Sequence, residues 1–358
     1  LMIAIASLLI DWHRKYGRHD LPWQRNRDPY AIWVSEIMLQ QTQVNTVIPY
    51  YQRFMQIFPT VASLADAPLE AVLALWSGLG YYSRARNLHA SARAIVSNHQ
   101  RCFPADRCAL EQLPGIGRST AAAIVVFSFG QREAILDGNV KRVFARYFGI
   151  DGFPGEPKVQ KILWEKAEEA LPHDYQNGRI GAYTQALMDL GATVCSRSAP
   201  ACEICPLNRH CIAAIEHRID QLPTPKPRKS LPQKEAVFLF LLRDRKLFLQ
   251  KKPAPGIWGG LWCPPEVGTG IDVSAYCSDQ WRIQVDTLYE LPLLNHQFTH
   301  FKLRIYPKLL TTQSEKPALS DDSIWIHPSE ALERGIPAPV RKLLQRTFSS
   351  SNNLTISV

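Results

Sequence analysis

Apolar residues recur at three- and four-residue intervals through the first 216 positions, in short runs separated by pairs such as Phe58-Pro59, Leu113-Pro114-Gly115 and Gly152-Phe153-Pro154. That period belongs to amphipathic helices, and Pro and Gly end them. An all-α domain is expected over 1–216. The pattern changes at 217–234, where Pro223, Pro225, Pro227 and Pro232 alternate with Lys226, Arg228, Lys229 and Lys234. This composition predicts a stiff, basic, extended connector. Beyond it, 236–242 and 246–249 read as two strands around the turn Arg243-Asp244-Arg245, and 300–310 alternates as another. A last helix is expected over 338–348, which closes a second domain spanning 235–348. The polar stretch 349–358 reads as a disordered tail. Residues 1–10 are apolar, but no basic region precedes them and 11–18 is polar, so a helix start is expected rather than a signal peptide. Leu1 ahead of Met2 reads as an altered or missing start.

Composition agrees with two domains. The chain has 358 residues, 46% of them hydrophobic and 10% aromatic, which is ordinary globular material and excludes a disordered or collagen-like chain. No stretch approaches the roughly 20 apolar residues of a membrane span. The formal charge is +9. Up to Lys234 there are 27 basic and 20 acidic residues against 14 and 12 afterwards, an excess of +7 against +2. A basic first domain favours an anionic partner such as nucleic acid, though solubility alone also accounts for a charge this modest.

Four of the eight cysteines crowd into one loop, as Cys195, Cys202, Cys205 and Cys211. Such clustering points to a metal in a reducing cytoplasm rather than to disulfides. Zinc and an iron-sulfur cluster both accept four thiolates, and the C-x6-C-x2-C-x5-C spacing does not separate them. Four thiolates leave no position open for substrate, so the expected role is structural.

Two acidic residues stand out. Glu36 interrupts the apolar run Ile32-Trp33-Val34-Ser35-Glu36-Ile37-Met38-Leu39. Burial there favours the neutral form, as a general acid near neutral pH requires. A charged surface face or a buried ion pair is the alternative. Glu36, Gln40 and Gln43, at i, i+4 and i+7, are expected to form a polar stripe on one helix face. Asp137 follows two aliphatic residues in Leu136-Asp137-Gly138-Asn139-Val140 and opens the next helix, as a simple N-cap or as something more. The turn Leu113-Pro114-Gly115-Ile116-Gly117 lies between two helical runs, where backbone N–H groups at a helix start suit a phosphate; an ordinary tight connection is equally compatible.

Together the glycine turn, the aspartate twenty residues beyond Gly117 and the cysteine loop resemble the helix-hairpin-helix DNA glycosylases of the endonuclease III superfamily, which carry a [4Fe-4S] cluster. Within it, Leu21-Pro22-Trp23, the run from Ser35 to Gln43, Gly78-Leu79-Gly80-Tyr81-Tyr82 and the run from Leu136 to Arg142 are similar to the MutY-type adenine DNA glycosylases. Gly256-Ile257-Trp258-Gly259-Gly260-Leu261-Trp262 and Phe298-Thr299-His300 resemble that family's MutT-like C-terminal domain, so the second domain is expected to be α+β with a Nudix fold.

The resemblance implies base-excision repair of adenine opposite 8-oxoguanine or guanine in double-stranded DNA. Glu36 would protonate the adenine, at N7 by resemblance, and Asp137 would stabilise the oxocarbenium-like sugar. In relatives that also cut the strand, a lysine occupies the position of Ser119, so no strong lyase activity is expected; Lys141, near Asp137 in sequence, is a source of weak cleavage. The target base must be flipped. Gln41 and Tyr81 are the wedge candidates, with Tyr81 alternatively a core tyrosine. Thr42, Leu79, Gly80, Gly115, Gly117, Ser119, Asn139 and Lys141 complete the expected DNA contacts, and Trp23 and Gln185 the adenine pocket. Phe298, Thr299 and His300 would read 8-oxoguanine, with Thr299 where the family usually has serine. Gly260 and Glu266 match the start of a MutT-type metal box, but 267–281 lacks its glutamate cluster, so this domain should bind rather than cut. No nucleotide or divalent metal is expected in catalysis. The chain is expected to be a bacterial-type monomer in the cytoplasm, held at the nucleoid by DNA, with no membrane partner. The rivals are an oxidised-pyrimidine glycosylase with lyase activity and a non-catalytic DNA-binding redox sensor.

Overall fold

The computed structural model describes residues 2–174, 178–227, 230–313 and 321–348. The expected tail at 349–358 lies outside them. Twelve helices occupy the first part of the chain: α1 Met2–Tyr16, α2 Pro29–Leu39, α3 Val44–Ile57, α4 Val61–Asp66, α5 Leu69–Trp76, α6 Ser83–Asn98, α7 Arg107–Glu111, α8 Arg118–Phe129, α9 Gly138–Tyr147, α10 Pro157–Glu169, α11 Arg179–Asp189 and α12 Ile212–Ile215. After them come β1 Gln233–Arg243, β2 Lys246–Lys251, β3 Trp262–Cys263, β4 Glu266–Val267, α13 Val273–Trp281, β5 Thr287–Glu290, β6 Leu294–Gln297, β7 Lys302–Thr311, β8 Ser323–Ile326, α14 Pro328–Ala331 and α15 Ala338–Phe348. Among the described residues no helix is long and apolar enough to cross a membrane.

The chain folds as two units. One comprises 1–66 and 87–228, the other 67–86 and 229–358. Residues 67–86, placed by sequence with the helical domain, therefore group with the strands. The expected connector also differs from a free linker at both ends. Its start packs within the first unit, where Leu222 is buried, its carbonyl accepts a hydrogen bond from Arg146 Nε at 2.8 Å, and Thr224 Oγ1 accepts one from Gly152 N at 3.0 Å. Its last two residues already belong to β1.

In the first unit, Ile5, Leu9, Val126, Val143, Phe144, Leu163, Tyr183 and Leu187 share one core drawn from α1, α8, α9, α10 and α11. Helix α1 lies against α11, and α2 against α3 and α8. Helix α2 starts where Asp28 Oδ1 accepts a hydrogen bond from Tyr30 N at 3.1 Å and Pro29, which has no N–H to satisfy, takes the first helical position.

In the second unit the sheet order is β3-β2-β1-β7-β5, with β4 on β1, β6 on β7 and β8 on β2. Among the described residues the β1–β7 pair is parallel and the other pairs are antiparallel. Residues 236–241 of β1 are buried on both faces, and a continuous apolar run suits such a central strand. Between β1 and β2, Arg243 pairs with Lys246 and both turn residues have positive φ, Asp244 at +47° and Arg245 at +60°. That geometry matches the right-handed twist of a two-residue hairpin. Helix α13 covers the sheet with Val273 and Cys277, beside Val237, Leu239, Phe248 and Leu310.

Candidate active site and its surroundings

Helix α2 buries Tyr30, Ile32, Trp33, Val34, Ile37 and Met38, and Glu36 stands among them. The residue keeps some exposure, yet burial of its carboxyl, followed by the nearby Asp137, pushes its pKa up to about 8. It is protonated at neutral pH. The expected polar stripe is corrected here. The helix stops at Leu39, Gln41 takes φ +57°, and Gln43 caps the start of α3, so Gln40 and Gln43 do not continue one helical face. The reversal keeps all three residues on one cavity wall by loop geometry instead. Gln40 Nε2 donates to Thr120 Oγ1 at 3.5 Å.

Asp137 reaches the same cavity from α9. It is the N-cap: its Oδ1 accepts Val140 N at 2.7 Å. Just before it, Leu136 N donates to Ser119 Oγ at 2.9 Å, which pins the extended segment entering the helix to α8. Burial pushes the Asp137 pKa up, against the helix-start N–H groups and the Arg142 and Lys141 charges, which pull it down. Gly191 allows the close approach that places this helix start, because a Cβ there would lie 2.6 Å from Asn139 Cβ and 3.2 Å from its Cα. The negative charge of Asp137 adds to the effect of burial at Glu36, whose pKa stands at about 8. One cavity thus holds a neutral acid beside an aspartate with helix-start donors, an arrangement able to donate a proton and to stabilise a developing cation.

The cavity measures about 1910 Å³. Of the sequence-expected residues, Trp23, Glu36, Gln41, Thr42, Ser119, Asp137, Asn139 and Gln185 line it. Trp23 is buried edge-on to Tyr51, with centroids 5.4 Å apart. Gln185 Nε2 donates to Asp189 Oδ1 at 3.0 Å. Asp189 was not singled out from sequence, although it interrupts Ala186-Leu187-Met188-Asp189-Leu190 much as Glu36 interrupts its own run. Burial acts to raise its pKa, but His13 and Arg18 hold it below the ordinary value; Arg18 donates from its backbone N at 2.8 Å and from Nη2 at 2.6 Å.

The other expected residues lie elsewhere. Gly115 and Gly117 form the exposed turn between α7 and α8, and Gly117 caps α8 without a side chain. At Gly115 φ is +79° and Asn87 Cβ would stand 2.8 Å from an added Cβ, so glycine is required twice over. Lys141 is half-buried in the first turn of α9, its pKa lowered by burial against the pull of Asp137. In the second unit, Leu79 is buried, whereas Tyr81 is 44% exposed at φ +47° with the Arg84 guanidinium 5.5 Å from its ring. Tyr82 is the buried tyrosine of the pair. Thr299 and His300 form the exposed tip of the β6–β7 hairpin, where Gln297 pairs with Lys302 and Phe298 N donates to Phe301 O at 2.9 Å.

All four loop cysteines line one small apolar cavity with Val143, Tyr147 and Leu190. Burial and repulsion from the other three sulfurs push the Cys205 thiol up to about 12. Cys205 is therefore a neutral thiol unless a bound cation draws off its proton. Among the described residues no three side chains group as ligands of a single metal ion. Arg146, 2% exposed, donates to Cys195 Sγ at 3.3 Å, Ser196 O at 2.7 Å and Arg197 O at 3.0 Å. Arg142, one turn earlier, donates to Cys195 O at 2.7 Å and Gly191 O at 2.6 Å. These two arginines tie α9, the helix of Asp137, to the cysteine loop, and neither role was read from sequence.

Comparison with known proteins adds to this geometry. Residues 34–169 match the family model of the HhH-GPD superfamily base excision DNA repair proteins, and residues 236–346 match that of the NUDIX domain. An adenine DNA glycosylase of Buchnera aphidicola subsp. Acyrthosiphon pisum (strain APS) is 39% identical over 343 residues, covering 95% of this chain and 96% of that protein. An adenine DNA glycosylase of Homo sapiens is 44% identical over 227 residues, 61% of this chain and 40% of that protein. Among solved structures, a thermostable thymine-DNA glycosylase superposes with a TM-score of 0.53 at 30% identity, covering 59% of this chain and 95% of that one.

Proposed function

This chain belongs to the family of adenine DNA glycosylases, and from that premise we propose that it hydrolyses the N-glycosidic bond of adenine paired with 8-oxoguanine or guanine. The observation that carries this reading is the pair Glu36 and Asp137 lining one cavity, with Glu36 held protonated near pH 7. Glu36 gives its proton to adenine N7, so the electrons of the C1′–N9 bond leave on a neutral base. Asp137, ionised at the start of α9, stabilises the cationic sugar. Water then attacks C1′, loses a proton, and an abasic site remains.

The base must leave the stack to reach the cavity. Gln41 and Tyr81 are the proposed wedges. Both are exposed and both hold positive φ, a strained backbone of the kind found at functional sites. Trp23 and Gln185 would bound the adenine pocket, Gly115 and Gly117 would offer N–H groups to a phosphate, and Phe298, Thr299 and His300 would read the opposite base. Ser119 supplies no amine, and its hydroxyl is engaged by Leu136 N, which supports a glycosylase without strong lyase activity. Cys195, Cys202, Cys205 and Cys211 would hold a structural [4Fe-4S] cluster, whose positive iron core relieves the repulsion among four thiolates. The two carboxyls account for the hydrolysis without a nucleotide or divalent cation. The enzyme would act as a monomer on cytoplasmic DNA.

The test is a duplex carrying adenine opposite 8-oxoguanine, incubated with the purified chain and then treated with alkali. Strand breakage at the adenine only after alkali is expected, from protein whose broad visible absorbance marks an iron-sulfur cluster. Glu36→Gln should bind that duplex yet release adenine slower by roughly 10²–10⁴-fold, the usual share of a general acid. Unchanged release would refute the assignment of Glu36.

A further inference from the structure

The tip that carries Thr299 and His300 is closed by the bond from Phe298 N to Phe301 O, and Lys302 at its base pairs with Gln297 on β6 and with Gln233 on β1. Phe298 stacks on Phe301 at 4.5 Å between centroids. It also meets His296, two residues earlier on β6, edge-on at 4.6 Å, and Trp258, from a separate loop, tilted at 5.4 Å. Trp258 in turn rests 5.9 Å from His296 and 6.1 Å from Phe238 on the central strand β1.

Trp258 is 8% exposed and holds φ +60°, a left-handed conformation in which an aromatic side chain is rare. Such strain persists only where the surroundings enforce it. The surroundings here are closely built. Gly259 N donates to Gly256 O at 3.1 Å, Leu261 N to Trp258 O at 2.9 Å and Gly260 N to Lys252 O at 2.8 Å. A Cβ on Gly259 would come within 3.0 Å of Pro253 O and 3.1 Å of Ala254 Cα. The loop is thus packed around a backbone twist that delivers one indole to one phenyl ring. A core-filling tryptophan has no need of that twist.

We infer that Trp258, assisted by His296, is a positioning residue that sets the orientation of the Phe298-Thr299-His300 tip and thereby the preference for 8-oxoguanine over guanine opposite the excised adenine. This rests on the proposed reading of the tip as the part that meets the opposite base. Trp258 acts through Phe298 and makes no contact with the base itself. Its effect is therefore confined to discrimination, and the chemistry at Glu36 and Asp137 does not depend on it.

The test uses the full chain and single-turnover release of adenine from two duplexes, one with 8-oxoguanine and one with guanine opposite the adenine. Trp258→Leu should lower the ratio of the two rates about 10-fold, the scale of one or two aromatic pair contacts, while the rate on the guanine duplex stays within about twofold. Trp258→Phe should retain an intermediate ratio. His296→Leu, which removes another of the rings on Phe298, should lower the ratio in the same selective way and serves as the deciding variant if Trp258→Leu does not fold. A wild-type ratio in these variants, or a parallel loss on both duplexes, overturns the inference. The double variant Thr299→Ala/His300→Ala separates this from the underlying reading. If it too keeps the wild-type ratio, the tip does not read the opposite base; if it loses the ratio while the Trp258 and His296 variants keep it, only the positioning role is lost.

Discussion

At the scale of single residues, the site depends on where protons sit. Glu36 is raised to about 8 by burial and by Asp137, and Asp137 is raised by burial. On the proposed roles, excision needs Glu36 protonated and Asp137 ionised, so the single-turnover rate should fall on the alkaline side near pH 8. On the acid side it should fall at a pH above that of an ordinary aspartate. A rate that keeps rising past pH 9 would remove Glu36 from the acid role. The same shift has a stability consequence of fixed sign. Between the ordinary value of 4.5 and about 8, the folded chain holds a proton on Glu36 that the unfolded chain has released, so stability falls as pH rises through that window. Glu36→Gln does not titrate. Its melting temperature should therefore gain on the parent between pH 5 and pH 8, and the gain should level off above. The signal for Glu36, a charge inside an apolar run, was legible in sequence. Asp189 carries the same signal and has the opposite state, because Arg18 and His13 reach it from positions far away in sequence.

At the scale of elements, the helical character of the first part and the elements β1, β2, β7 and α15 followed from periodicity, while β3 to β6, β8, α13 and α14 were not read from it. The i, i+4, i+7 stripe assumed a helix that continues past Leu39; Gln41 at φ +57° ends it. The start of α9 depends on Gly191, which leaves room for Asn139. In Gly191→Ala the added Cβ would press on Asn139, including its backbone, which cannot swing aside as a side-chain end can. The variant should lose about 1–3 kcal/mol of stability, the usual cost of overpacking, and its excision rate should drop at least about tenfold because reacting groups displaced by an ångström lose that much or more. Thermal melts and single-turnover kinetics check this together. A destabilised variant with the parental rate would show that Asp137 is not keyed to this contact.

At the scale of the whole molecule, the chain leaves its first unit after residue 66 and returns to it at 87. The excursion is held within the second unit by Glu70, which accepts Trp262 Nε1 at 2.7 Å and Arg334 Nη1 at 2.5 Å, with Lys251 Nζ 3.8 Å away. Ser77 and Tyr82 add hydrogen bonds to Ile336 O at 3.1 Å each. Partial burial acts to raise the Glu70 pKa, but Trp262 and Arg334 hold it below the ordinary value. Its contribution is present above pH 4.5 and is lost as pH falls through the lowered folded value. Glu70→Gln should cost about 1–2 kcal/mol at pH 7, discounted for partial exposure. The difference should vanish in strong acid, as urea melts at pH 7 and pH 3 would reveal. A constant difference at both would mean that charge is not what matters there.

The sequence by itself determined the helical first part, three strands and the last helix of the second, the acid in an apolar run, the aspartate opening α9 and the four crowded cysteines. Each is written in spacing and composition over a few turns of chain. Only the tertiary structure decided which groups meet: Glu36 with Asp137, Ser119 with the segment before Asp137, Arg146 with the cysteine loop, Glu70 with Trp262 and Arg334, Trp258 with Phe298. Those pairings join positions tens to hundreds of residues apart. Local periodicity carries no record of them, because side-chain contact is set by how packed elements bring distant segments together.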